Sequence, residues 1–295
     1  MMGRARPERS GLAYESLSNR AATADRLEMQ AAGERLDAYL SALAAAPDDR
    51  VLEVGCGSGA LARAIAASCG ARVTGIDADP GKIAFCRRTA RRGGLDMTFA
   101  CGDVTTLAAA WRDAFSLVFC RYFLMYALPD ASCAAMLRTL AGMVSPGGRL
   151  VAFEADIDFA HRFFPPLPPF AVSAFDTVVD HYRDHGLIDW RRGTSLGHVF
   201  ELAGLGEPEI RIADARVILN GKPADLVTHD GLDIEPLLRP ALAECGRLGE
   251  LPAVAECYRT ALGRPGGFCY TPVFQATWQR PVGRPTGLRE VIENA

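Results

Sequence analysis

Five short apolar runs, at 51–55, 72–77, 97–101, 115–120 and 148–154, alternate with stretches whose apolar residues recur at helical spacing. Strands that are apolar on both faces and separated by helices predict a parallel sheet covered on each side. Ahead of them, Leu27, Ala31, Leu36, Leu40 and Leu43 form a stripe that predicts one helix over 23–45, ended by Pro47-Asp-Asp. The alternation breaks after the fifth run. Residues 156–193 hold Phe163-Phe-Pro-Pro-Leu-Pro-Pro-Phe170, too rich in proline for a helix or central strand, and then a helical stretch over 172–185. A helix at 194–203 and a strand at 209–218 resume the pattern. A second interruption at 221–267 carries helical pieces at 234–245 and 251–262, and a last strand runs over 269–279.

The organisation expected is therefore an N-terminal arm and cap helix (1–45), a core (46–155), a cap insertion (156–193), more core (194–220), a second cap insertion (221–267), and a final strand and tail (268–295). Residues 1–13 are polar, rich in arginine, and expected to lack fixed structure. Right-handed crossovers put the C-terminal ends of the parallel strands on one edge, so motifs at those ends share one site.

The candidate chemistry sits there. Val51-Leu-Glu-Val-Gly-Cys-Gly-Ser-Gly59 is an apolar run that breaks into alternate glycines and leads into a helix, the form of a loop that lets a ligand approach closely near free helix N–H groups. Gly55, Gly57 and Ala60 also satisfy the weak dinucleotide pattern, with Asp77 about 20 residues on, so an NAD-linked oxidoreductase is one reading. Glu53 inside the first strand needs a partner, which a cationic ligand or a backbone network could supply. Phe99-Ala-Cys-Gly-Asp103 ends the third strand with a further acid that a dinucleotide does not require.

Together these residues resemble the class I S-adenosylmethionine (SAM) methyltransferases. Further likeness lies in Arg26-Leu-x-x-Gln30, Arg121-Tyr-Phe-Leu-Met-Tyr-Ala-Leu-Pro129, Ser145-Pro-Gly-Gly148 and Leu196-Gly-x-x-Phe-x-x-Ala-Gly204, which are similar to a branch acting on small molecules, often in bacterial specialised metabolism. Ala127 is one residue more than that pattern has before Leu-Pro. The resemblance implies a doubly wound, Rossmann-like α/β fold with a seven-stranded sheet, an antiparallel last strand and a helical cap. It implies SAM as cofactor, with Glu53, Gly55, Gly57 and Gly59 at the methionine part, Asp77 and the adjoining Ala78 at the ribose, and Asp103 and Val104 at the adenine. Tyr14, Arg26, Gln30 and Arg121 are the other cofactor-binding candidates.

Glu154, buried by prediction at the end of the fifth strand, is the first catalytic candidate, as a base or as a structural partner of Arg121 or the next loop. Tyr126 and His161 stand in reserve. The cap aromatics Phe163, Phe164, Phe170, Phe175, Tyr182 and Trp190 either line a pocket or form the cap's own core. A methyltransferase-fold cyclase is the alternative to methyl transfer to O, N or C of a hydrophobic small molecule.

Composition narrows the classes. The chain has 295 residues, 49% of them hydrophobic, and a net charge of −3, which gives no bulk attraction to nucleic acid or an anionic membrane. Lysine occurs only at Lys82 and Lys222, and the arginines are scattered. Nine cysteines without a C-x-x-C pair fit free thiols, and with no signal-like N-terminus they fit a cytoplasmic protein; a homodimer is compatible with the sequence. His181 and His185 stand one helical turn apart, the spacing of a metal pair. No third ligand is evident in the sequence, so no metal is expected and a solvated helix face is the default.

Overall fold

The computed structural model describes residues 24–213, 217–219 and 234–282. Tyr14 and the polar segment 1–13 lie outside them, as do most of the second interruption before residue 234 and the C-terminal tail.

The predicted N-terminal helix is two helices, α1 (Ala24–Gly33) and α2 (Leu36–Leu43), parted at Gly33-Glu34. The chain then runs β1 (Arg50–Val54), α3 (Ala60–Cys69), β2 (Arg72–Asp77), α4 (Pro80–Arg92), β3 (Thr98–Cys101), a single turn α5 (Val104–Leu107) and β4 (Phe115–Arg121). A 3₁₀ turn at Leu124–Tyr126 precedes α6 (Asp130–Met143) and β5 (Val144–Ala155). Beyond them come β6 (Phe163–Phe164), α7 (Pro169–Asp184), α8 (Leu196–Leu202), β7 (Glu209–Ala213), β8 (Val217–Leu219), α9 (Ile234–Glu244), α10 (Leu251–Gly263), β9 (Phe268–Tyr270) and β10 (Val273–Gln279).

Seven strands form one sheet in the order β3-β2-β1-β4-β5-β10-β7, with β10 antiparallel to both β5 and β7. This is the doubly wound sheet with an antiparallel last strand that the sequence led us to expect. Strand alternation splits its side chains between two cores. Leu52, Val54, Leu150 and Ala152 pack with α6 and α8, while Val51, Leu117, Val151 and Phe153 pack with α2 and α3. The fifth strand starts earlier than the run at 148–154: Ser145-Pro-Gly-Gly148 lies inside β5, which begins at Val144 and pairs irregularly with β4 there.

Two predicted strands differ from expectation for one reason. The runs 209–218 and 269–279 are each divided, and their outer pieces β8 and β9 leave the main sheet to pair antiparallel with each other. The proline-rich segment contributes β6 to the other side of β9, where a two-residue edge strand ends before Pro165. This three-stranded sheet adjoins a third apolar cluster built from α7, α9 and α10 around Phe159, Phe175 and Tyr258. Phe159 and Phe175 stack at 4.0 Å, with Tyr258 tilted 5.5 Å from Phe175. The cap therefore has a core of its own.

Gly193 joins cap to sheet. Its N–H donates to Ala155 O at 3.0 Å, and an added Cβ would lie 2.7 Å from Phe274 Cδ2 and 2.8 Å from Glu154 O. We expect Gly193→Ala to lower the unfolding free energy by about 1–3 kcal/mol through overpacking. A denaturant midpoint equal to wild type would show that this junction yields freely.

Candidate functional site

Three strand ends are stitched together by backbone geometry. The glycine loop after β1 donates from Cys56 N to Ile76 O at 2.9 Å and from Gly57 N to Asp77 Oδ2 at 2.9 Å. Asp77 Oδ1 accepts from Asp79 N at 2.9 Å, and Gly102 N donates to Asp77 O at 3.0 Å. Asp77 thus ties the loop to the ends of β2 and β3, and each carboxylate oxygen retains a lone pair beyond its amide. Ala78 lies within this bend, where its carbonyl faces the Cys101 thiol at 3.8 Å. Asp103 is exposed and caps α5, with Oδ1 accepting from Thr105 N and Oγ1, both at 2.8 Å. Val104 is buried beneath it.

Gly55, Gly57 and Gly59 all have positive φ, at 67°, 56° and 74°. That region suits glycine, so conformation alone requires all three. The surroundings add a packing reason. An added Cβ would meet Phe123 at Gly55, Leu27 at Gly57, and Cys86 and Phe99 at Gly59. Leu27 belongs to α1, and its neighbour Glu28 binds Arg63 of α3 at 2.6 Å, so the N-terminal helix lies across the loop. Arg26 and Gln30 are carried on that helix.

Glu53 finds the backbone partner the sequence left open. It is almost fully buried, and its Oε2 accepts from Ala62 N in the first turn of α3 at 3.0 Å. Burial pushes its carboxyl up to about 7, against the opposing pull of Arg121, the Ala62 amide and Arg63.

Arg121 does not pair with Glu154. It binds Glu34 at the break between α1 and α2, and its guanidinium lies over the rings of Tyr39 at 5.2 Å and Tyr122 at 5.3 Å. Burial acts to lower its pKa, but the charges of Glu34, Tyr39, Tyr122 and Glu53 together outweigh it and raise it. Tyr122, with φ 52°, is a bulky residue in the left-handed region at the end of β4, and its hydroxyl lies 3.0 Å from that of Tyr39.

Glu154 is wholly buried on the Leu150–Ala152 face of β5. Oε1 accepts from Phe123 N at 2.9 Å and Leu124 N at 2.6 Å, which caps the turn after β4. Oε2 is buried and makes no hydrogen bond to any of the described residues. Burial raises the carboxyl to about 7, while the Leu124 and Phe123 amides and the charge of Arg192 pull the other way. Of the two structural partners anticipated, the loop is the one present. Tyr126 is partly exposed at the end of that turn. His161 stands apart on the surface, with Nδ1 2.8 Å from Asp158 Oδ2.

Four of the cap aromatics, Phe163, Phe175, Tyr182 and Trp190, are buried in the cap core, whereas Phe164 and Phe170 are exposed. Residues the sequence did not single out are Glu34, Tyr39 and Arg192. Arg192 is completely buried, binds Asp130 at 2.7 Å and faces Asp189 at 3.1 Å. Its partner Asp130 is 62 positions away, and no local spacing announces the pair. Of the nine free cysteines, Cys101 and Cys245 are exposed rather than in the core. No helix among the described residues is long and apolar enough to cross a membrane.

Residues 51–148 match the methyltransferase domain family, and the strand-end motifs of β1 to β3 lie within that span. Curated relatives named ubiquinone biosynthesis O-methyltransferase include one from Xanthomonas campestris pv. campestris (strain B100), 37% identical over 116 residues, and one from Xanthomonas axonopodis pv. citri (strain 306), 35% identical over 112 residues. These matches cover 39% and 38% of this chain and 46% and 45% of the relatives, so the chain spans under half the length of the relatives it matches. Among solved structures, the YcgJ protein of Bacillus subtilis aligns with a TM-score of 0.52 at 15% identity, covering 84% of this chain and 98% of that one. The BH2331 protein of Bacillus halodurans C-125 gives 0.52 at 18%, covering 83% and 98%. Residues 51–148 thus match a methyltransferase-domain model, and the chain shares its fold with the YcgJ and BH2331 proteins.

The raised carboxyl of Glu154 has a definite pH signature. A folded-state pKa of about 7, against 4.5 for the ordinary group, means the folded chain holds the proton more tightly than the unfolded one. Stability from this group is therefore present below pH 4.5 and is lost as pH rises through about 7. Glu154→Gln removes the titration, so its stability relative to wild type should improve between pH 5 and pH 8, by up to about 3 kcal/mol. Parallel stability curves for the two proteins across that interval would show that Glu154 ionises normally.

Proposed function

We propose that this protein is a SAM-dependent methyltransferase acting on a hydrophobic small molecule, with bacterial specialised metabolism as its setting. The observation that carries this reading is the joining of the glycine loop, Asp77 and Gly102, the residue before Asp103, by hydrogen bonds at one edge of a methyltransferase-type sheet. The donor set fits the cofactor. Asp77 keeps lone pairs for a ribose diol, and Asp103 is exposed beside Gly102, where an added Cβ would meet nothing within 4 Å. Ala78 and Val104 flank these acids, and α1, with Arg26 and Gln30, lies where it can close the methionine end. The relatives' name favours an oxygen acceptor.

When bound, SAM supplies an activated methyl group, so the leaving group needs no acid. The protein's own work is positioning and exclusion of water, with a proton acceptor where the substrate hydroxyl must lose its proton. Glu154 divides that work between its oxygens: Oε1 anchors the 123–126 turn, and Oε2 is the atom for the proton. Because Oε2 is closed off, an acceptor reaches it only when the groups around it shift. The apolar cap with its exposed Phe164 and Phe170 suits a substrate that is itself apolar.

Methyl-labelled SAM incubated with the enzyme and a producing cell's extract should yield a labelled small molecule, and calorimetry should show SAM binding. Binding of NAD without SAM would overturn the reading. Asp77→Ala should weaken SAM binding by about tenfold or more, through loss of the ribose acceptor and of the Gly57 tie together. Glu154→Gln should lower turnover by about 10²-fold with SAM binding retained. Unchanged turnover would leave Glu154 as the turn's anchor alone.

A further inference from the structure

The histidine pair that the sequence left without a third ligand acquires one in the fold. His181 and His185 lie one turn apart at the C-terminal end of α7, and Glu244 is the last residue of α9, which packs beside it. Glu244 Oε2 lies 3.8 Å from Nε2 of His181 and 3.8 Å from Nε2 of His185. We propose that His181, His185 and Glu244 form a binding site for a divalent first-row transition cation, with zinc the ion of best fit, that pins α7 to α9 within the cap.

Three features make these residues suited to a metal. The first is chemical: two imidazoles and one carboxylate are a set that zinc accepts, with further positions left to water. The second is metric. Ligand atoms at about 2.0–2.1 Å from a tetrahedral ion stand about 3.3 Å from one another. The two carboxylate–imidazole separations exceed this by about half an ångström, and Glu244, an exposed side chain common to both, can close the gap.

The third is the state of the imidazoles. His185 Nδ1 lies 2.7 Å from the carbonyl oxygen of His181, a group that can only accept, so Nδ1 carries the hydrogen and neutral His185 presents its Nε2 lone pair towards Glu244. Such a hydrogen bond from the second ring nitrogen is the usual support of a metal-binding histidine. His181 is mostly buried, which fixes its ring at the α7–α9 contact.

The consequence is mechanical. Tyr182 already donates to Leu237 O at 2.9 Å, joining α7 to α9 two turns before Glu244. An ion would add a second tie at the helix ends and stiffen the cap.

The test uses the full chain, free of any tag and with thiols reduced, titrated with zinc chloride by calorimetry and with cobalt(II) by absorption. We expect one equivalent bound, a weak visible cobalt spectrum without thiolate charge-transfer bands, and a higher thermal midpoint with zinc. His185→Ala and Glu244→Ala should each weaken binding by about tenfold or more and remove the thermal gain. At 54% and 64% side-chain exposure these positions tolerate substitution, and circular dichroism checks that the variants fold. Zinc uptake unchanged in the double variant, a cobalt spectrum of thiolate type, or no uptake at about 100 µM zinc would each overturn the proposal.

Discussion

The site depends on backbone amides whose partners are carboxylates. Where parallel strands end, the chain turns and leaves N–H groups that neither sheet nor helix satisfies. Glu53 takes the Ala62 amide, Asp77 those of Gly57 and Asp79, Asp103 that of Thr105, and Glu154 those of Phe123 and Leu124. Charge-assisted bonds of this kind are stronger than neutral ones, and they hold loops in place that would otherwise have little packing to fix them. The acids are scaffold before they are ligands. Replacing one of them moves a loop as well as removing a binding group, which is why the isosteric amide, Asn for Asp and Gln for Glu, separates the two effects better than Ala.

Burial divides these acids into two kinds. Asp77 and Asp103 sit at the open edge, where water or a ligand can satisfy their remaining lone pairs. Glu53 and Glu154 lie inside the sheet, and burial pushes both up to about 7. Each is held by amides from one side only, so the desolvation cost is incompletely offset. A protein retains such a group when the alternative, an unsatisfied loop, costs as much, or when the proton itself is used.

The parallel sheet was legible because both of its faces are covered, so each strand reads as a continuous apolar run and each crossover as a periodic helix. What escaped was built from non-local pairs. Strands β6, β8 and β9 are two or three residues each, drawn from 163–164, 217–219 and 268–270, and no window that short carries a period. The break at Gly33-Glu34 was hidden because the apolar stripe continues across it. In the site, the glycines and strand-end acids could be named from spacing. The partners of Arg121, Arg192 and the histidine pair come from 87, 62 and about 60 residues away, distances over which a single sequence carries no signal.

The cap's relation to the sheet follows from these contacts. Its aromatics are largely consumed in its own core, so its apolar cluster does not rely on the sheet for burial. What fastens it is polar and local: Gly193 against β5, Asp156 N donating to Pro272 O, and Asp189 N donating to Met125 O within the turn that Glu154 anchors. The same 123–126 turn is thus held from below by the carboxylate and from the side by the cap segment. Any movement that opens the cap pulls on Met125 and hence on the amides that Glu154 Oε1 accepts. Loss of either amide would raise the carboxyl further, since both act to lower it. The position of the cap and the proton affinity of Glu154 are therefore linked through one short stretch of backbone.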